Sequence, residues 1–140
     1  MKVADILTEK GSRIVTIRLN ETAEVAARLL TRENIGALAV KDVVRTEGNT
    51  CVGIFSERDI VRALTEHGSA GLKLSVEKLM TRELVWCSPD EELDAVIAKM
   101  DTHGIRHVPV LENHSLIGMI SVRDVIRVLR KQNSSGDAAA

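Results

Sequence analysis

Aromatic side chains are almost missing from this chain, which has one Trp, one Phe and no Tyr. A single-stranded nucleic acid would find no platform on which to stack its bases. An excess of charge is missing too. The net charge of −1 provides no basic field to draw nucleic acid or an anionic membrane. No apolar run approaches the roughly 20 residues that span a bilayer. The opening Met1-Lys2-Val3-Ala4-Asp5 lacks the apolar stretch of a signal peptide, so a cytoplasmic location is expected. Cysteine is scarce. Cys51 and Cys87 stand alone in apolar runs, without metal-ligand spacing, and read as reduced, buried small hydrophobes. An activated nucleophile, a Walker-type glycine loop and a convincing acid–base carboxylate pair are also wanting, which argues against an enzyme.

What the chain does contain, it contains twice. Gly53-Ile54-Phe55-Ser56-Glu57-Arg58-Asp59-Ile60-Val61-Arg62 returns as Gly118-Met119-Ile120-Ser121-Val122-Arg123-Asp124-Val125-Ile126-Arg127. Gly, Ser, Arg, Asp and the last Arg recur at a constant offset, and self-similarity of this kind dictates architecture before any single residue is read. Each copy ends an apolar strand and turns at a serine into a helix.

The flanking patterns repeat as well. Val3–Thr8 reads as a helical turn, Ile14–Leu19 as a strand, and Asn20 as the N-cap of a helix to about Asn34 with Ala23, Val25, Ala26, Leu29 and Leu30 on its apolar side. Ile35–Val40 and Cys51–Phe55 read as strands, and Ser56–His67 as a helix stopped by Gly68. The order restarts with the turn Val76–Met80, the strand Leu84–Cys87 and an Asx cap at Asp90. A helix with Leu93, Val96, Ile97 and Met100 on one face follows, and then the strand Ile105–Leu111. Extra residues in the first copy fall in the loop Lys41–Thr50, where insertion costs little. Residues 1–68 form one repeat, 69–75 a linker, 76–130 the second repeat, and 131–140 a polar tail expected to be disordered. Each repeat is β-α-β-β-α and leaves an apolar sheet face uncovered. An α/β (α+β) pair of pseudo-symmetric repeats packed sheet to sheet is therefore expected.

The S-x-x-D spacing opens both repeat-ending helices. First-turn N–H groups suit a phosphate, Asp59 and Asp124 can accept from both hydroxyls of a ribose, and Arg58 and Arg123 offer the cation. Ile35, Ile54, Ile105 and Ile120 could sandwich a planar base. The same spacing is equally a capping box needing no ligand, and spacing alone does not separate the two readings. His103 and His107 are four apart but fall on different elements with no third ligand, so no metal is expected. His67 reads as a helix-end charge, His114 as a turn residue, and Trp86 as a core or dimer contact. Lys10 and Arg13 read as solvated loop residues, with positive charge beside a cleft mouth as the alternative.

The doubled G-x-x-S-x-R-D and the I-R-H-V-P-V of Ile105–Val110 resemble the CBS (cystathionine-β-synthase-type) domain, and the pair resembles a stand-alone Bateman module spanning Val3 to about Leu129. The resemblance implies two clefts that take adenosyl ligands, with AMP ahead of ADP, ATP, NAD or S-adenosylmethionine and with no metal. It puts the ribose on Asp59 and Asp124 with Ser56 and Ser121, and the adenine along Ile105–Pro109, bordered by His107. It further implies a homodimer through helix faces such as Ile60 with Leu64 and Val125 with Val128, and a regulated protein partner. Ala37 and Ala39 replace His107 and Pro109 in the first repeat, so the clefts are not expected to be equivalent. A structural dimerisation module with vestigial clefts is the alternative.

Overall fold

The computed structural model describes residues 1–11, 14–42 and 50–139, with side chains as far as residue 134. Arg13 and most of the expected insertion loop lie outside the described residues. The elements are α1 (Val3–Lys10), β1 (Thr16–Arg18), α2 (Ala23–Glu33), β2 (Ala37–Lys41), β3 (Cys51–Ser56), α3 (Glu57–His67), α4 (Val76–Leu79), α5 (Leu93–His103), β4 (His107–Glu112), β5 (Ser115–Ser121) and α6 (Val122–Ala139). The expected linker holds a 3-10 segment, Gly68–Lys73. Helix α6 runs through the polar end of the chain as far as Ala139, and the ion pair of Lys131 with Glu9 lies at the start of that extension.

The chain forms two compact units that cut across the linear division into repeats. One comprises Ile14–Leu84 with His114–Leu116, the other Met1–Arg13, Val85–Asn113 and Ile117–Ala140. The opening helices are exchanged. In the first unit α4, from the second repeat, is fastened to the first repeat's chain. The N–H groups of Ala23, Val76 and Glu77 donate to the carbonyls of Leu74, Glu21 and Leu19 at 2.8–2.9 Å. In the second unit α1 is held the same way, with Leu93, Val3 and Ala4 donating to Met1, Glu91 and Pro89, each at 2.9 Å.

In the first unit β2 is central, parallel to β1 and antiparallel to β3, with Leu38 opposite Phe55. Its core gathers Ile17, Ala23, Ala26, Leu30, Leu38, Val40, Phe55, Val76 and Met80. Val25, expected on the apolar face of α2, is exposed. The second unit has a two-stranded sheet, β4 and β5, joined through Asn113 and His114 at positive φ, as a tight turn requires. Its core gathers α1, α5 and α6 through Val3, Ile6, Leu93, Val96, Met100, Val125 and Val128, together with Val108, Val110 and Ile120. The expected strand Leu84–Cys87 is only a single parallel bridge, Cys87 to Val110. Both cysteines are free and buried, as expected.

Two helix starts differ from expectation for one reason. Thr22, not Asn20, caps α2 by accepting from the Val25 N–H at 3.3 Å, because Thr22 bridges Ser75. Glu92, not Asp90, precedes α5, where it bridges Lys2. In each unit the contact with the exchanged segment decides where the helix begins.

Both repeated glycines have a packing reason. A Cβ at Gly118 would come within 2.5 Å of Leu7 Cδ2, and one at Gly53 within 2.7 Å of Met80 Sδ. The exchanged helices thus press a side chain onto the bare strand backbone just before each serine.

Candidate functional site

Each repeat turns from strand to helix with no intervening residue, at Ser56 and at Ser121. The Asp59 Oδ2 accepts from the Ser56 N–H at 2.9 Å and from its hydroxyl at 3.3 Å, closing a capping box. The Asp124 Oδ2 accepts the same two bonds from Ser121, at 2.8 and 3.0 Å, and the Ser121 Oγ accepts from the Asp124 N–H at 3.1 Å. The capping reading therefore holds at both sites. Both aspartates are buried, at 2 % and 6 % exposure, yet each stands in a helix first turn among cations. Arg62 Nη1 lies 3.6 Å from Asp59 Oδ1, and Arg127 Nη1 3.7 Å from Asp124 Oδ1. Arg58 and Arg123 are exposed in the same turns.

The two carboxylates differ electrostatically. Burial pushes Asp59 above the usual carboxylate value, and Ser56, Arg62 and Arg58 offset this only in part. Burial acts on Asp124 too, but the Lys10 ammonium and the Ser121 bonds outweigh it and hold the carboxyl below its usual value. Lys10, the last residue of α1, donates to Asp124 Oδ2 at 2.8 Å and to the Met119 carbonyl at 2.7 Å. The loop expectation for Lys10 is therefore replaced by a specific ion pair. Its signal was not local, because the partner is 114 residues away.

His107 opens β4 and is half-buried. Burial pushes its imidazole below the usual value, Asp124 pulls it up, and Lys10, Arg106 and Arg123 push it down again. The second unit thus brings Lys10 onto the Asp124 carboxylate and sets His107 in the field of that carboxylate and of Lys10, Arg106 and Arg123. Arg106 was not singled out in the sequence, and its place in the first repeat is held by Gly36, as Ala37 holds that of His107.

The base-contact residues divide. Ile35, Ile54 and Ile105 are half-buried, with Ile35 and Ile105 packed against the two cores. Ile120 is fully enclosed in the core, and Pro109 is fully buried beside Val108 and Val110, so neither side chain is open to a ligand. Alternation along a strand explains the error for Ile120, because a one-residue shift reverses the face. The counterpart of Ile54 is Met119, which is half-buried, whereas Ile120 matches the buried Phe55.

Among the described residues no group of three His, Cys, Asp or Glu is placed to hold a metal, and no helix is long and apolar enough to cross a membrane. His103 ends α5 while His107 begins β4, so the two do not share a helix face.

Comparison with known proteins gives consistent matches. The profile of the CBS domain matches twice, at residues 3–66 and 76–131. The crystal structure of a CBS-domain containing protein from Agrobacterium tumefaciens superposes with a TM-score of 0.85 at 37 % identity, covering 91 % of this chain and 98 % of that one. The CBS domain pair of protein MJ0100, solved in complex with 5′-methylthioadenosine and S-adenosyl-L-methionine, gives a TM-score of 0.80 at 29 % identity, covering 92 % and 99 %. An uncharacterized 17.7 kDa protein of Acidianus ambivalens is 34 % identical over 91 % of this chain and 73 % of its own length. Similarity also extends to larger proteins named as enzymes, of which this chain spans only 22 % to 24 %.

Proposed function

This chain belongs to the CBS-domain family, with the domain present in tandem, and from that premise we propose that it is a regulatory module binding adenosyl ligands at its Ser/Asp sites and passing their occupancy to a protein partner. The observation that carries this reading is the pair of buried aspartates at the two strand-to-helix turns. Each is held by its serine in the first turn of a helix, where a carboxylate can take a ribose diol, with Arg58 and Arg123 in the same turns for a phosphate. The bound 5′-methylthioadenosine and S-adenosyl-L-methionine of the MJ0100 pair support the ligand class. AMP is the favoured ligand because Arg58 and Arg123 suit one phosphate, with ATP and NAD as larger variants. The chemistry proposed at the sites is binding rather than catalysis: each serine hydroxyl is engaged with its capping aspartate at the helix start.

A homodimer accompanies this reading, with a correction of its residues. Val125 and Val128 are core, whereas Val61 and Leu64 on α3 and Ile126 and Leu129 on α6 are exposed at equivalent positions. Closed two-fold pairs are the commonest way to cover such faces.

A structural module with vestigial sites is the second reading, favoured by one observation. Both aspartates already have intramolecular partners. Calorimetry with AMP, adenosine, 5′-methylthioadenosine, S-adenosylmethionine, ATP and NAD separates the two. Binding by at least one, lost in the Asp59→Asn/Asp124→Asn protein, supports the regulatory module. Absence of heat from all six supports the structural one.

A further inference from the structure

Among the described residues the Asp124 Oδ2 accepts three hydrogen bonds, from the Ser121 N–H, the Ser121 hydroxyl and the Lys10 ammonium. A carboxylate offers about four acceptor positions over its two oxygens, so this oxygen has none to spare. Two of its three donors belong to the adjoining turn and are fixed by the helix start. Lys10 alone reaches in on a flexible side chain, which is 26 % exposed. A bidentate diol needs both carboxylate oxygens. It can gain Oδ2 only by removing the ammonium.

The first repeat shows the same backbone without this arrangement. The strand carbonyl matching Met119 is that of Ile54, which accepts from the Thr81 backbone N–H at 2.9 Å. There the exchanged helix α4 has only four residues, so the chain leaves it early and pairs with the strand. The matching helix α1 has eight residues, and its last one, Lys10, meets the Met119 carbonyl with its side chain. One ammonium therefore ties the end of α1 to both the strand and the buried carboxylate.

We propose that Lys10 is a displaceable internal occupant of the second site, competing with the ligand's ribose for Asp124, so that binding there releases the last turn of α1. This rests on the adenosyl reading above. It makes Lys10 a determinant of affinity in the second repeat and makes α1 the element that reports occupancy.

The test uses adenosine, which carries the diol without a phosphate that could re-pair the ammonium. Lys10→Met keeps the length of the side chain and removes its charge, at a helix end where folding is easily checked by thermal melting. Calorimetry at neutral pH is expected to show adenosine binding the variant about ten-fold tighter or more, the equivalent of one charge-assisted hydrogen bond no longer displaced. Hydrogen exchange on the wild type supplies a second measure. Saturating adenosine should accelerate exchange of the Gly11 amide, which donates to the Leu7 carbonyl at the end of α1. Equal or weaker binding by the variant, or a Gly11 amide unmoved by adenosine that does bind, overturns the displacement and leaves the adenosyl reading standing. Failure of adenosine to bind either protein overturns the displacement, and the adenosyl reading falls with it only if the other five ligands also fail to bind.

Discussion

The two aspartates look alike in sequence, yet replacing them should have opposite consequences for the ligand-free protein. Asp124→Asn keeps an acceptor for the Ser121 N–H but removes the charge that Lys10 pairs at 2.8 Å. A hydrogen bond to a charged partner contributes about 1.5–3 kcal/mol, and the partial exposure of Lys10 screens it. A loss of roughly 1–2 kcal/mol follows, or about 2–8 °C in Tm for a domain of this size. Asp59→Asn keeps the acceptor for the Ser56 N–H and removes a charge whose burial is its largest electrostatic cost. The half-exposed Arg62 at 3.6 Å and the charge of Arg58 oppose this. The Asp59→Asn protein should lie within about 0.5 kcal/mol of wild type or above it.

The pH dependence fixes the sign. Because the Asp124 carboxyl is depressed in the folded state, its contribution is present above the unfolded value, about 3.9, and lost as pH falls through the folded value. Because the Asp59 carboxyl is raised, the folded state holds its proton longer, and stability declines as pH climbs from the unfolded value through the folded one. Urea denaturation from pH 3 to 7 should therefore show both variants closest to wild type at low pH. They should separate in opposite directions as pH rises. An Asp59→Asn protein as destabilised at pH 7 as Asp124→Asn, or an Asp124→Asn deficit that does not shrink in acid, would refute this account of the sites.

Two further outcomes follow from burial and exposure. Burial pushes the Cys87 thiol up to about 12 and raises that of Cys51, so neither should react with Ellman's reagent at pH 8 until urea unfolds the chain; labelling at the rate of a free thiol in the native protein would contradict the core described for either unit. If the exposed helix faces carry the dimer, Val61→Glu with Ile126→Glu should convert a dimer to a monomer in sedimentation with little change in secondary structure, and a dimer that persists would place the contact elsewhere.

The repeat, the strand-to-helix turns at Ser56 and Ser121 and the aspartates three residues on were all legible in the sequence, because each depends on neighbours in the chain. Strand alternation, helical periodicity and S-x-x-D spacing are local signals, and they place α2, α3 and α5 to within a few residues. Ile120 falls on the buried face, since the repeat pairs Met119 with Ile54 and Ile120 with the buried Phe55. What tertiary structure alone decided depends on residues distant in sequence. Nothing in Val3–Thr8 or Val76–Met80 says which core each helix will enter, and their exchange between units moved the helix caps from Asn20 and Asp90 two residues on, to Thr22 and Glu92. The expected strand at Leu84–Cys87 is one parallel bridge, Cys87 to Val110, beside a two-stranded sheet. The difference between the two aspartates has the same origin. Both sit in the same motif, but α1 runs on to Lys10 while α4 stops at Leu79, so folding delivers an ammonium to one buried carboxylate and leaves the other to bear its desolvation.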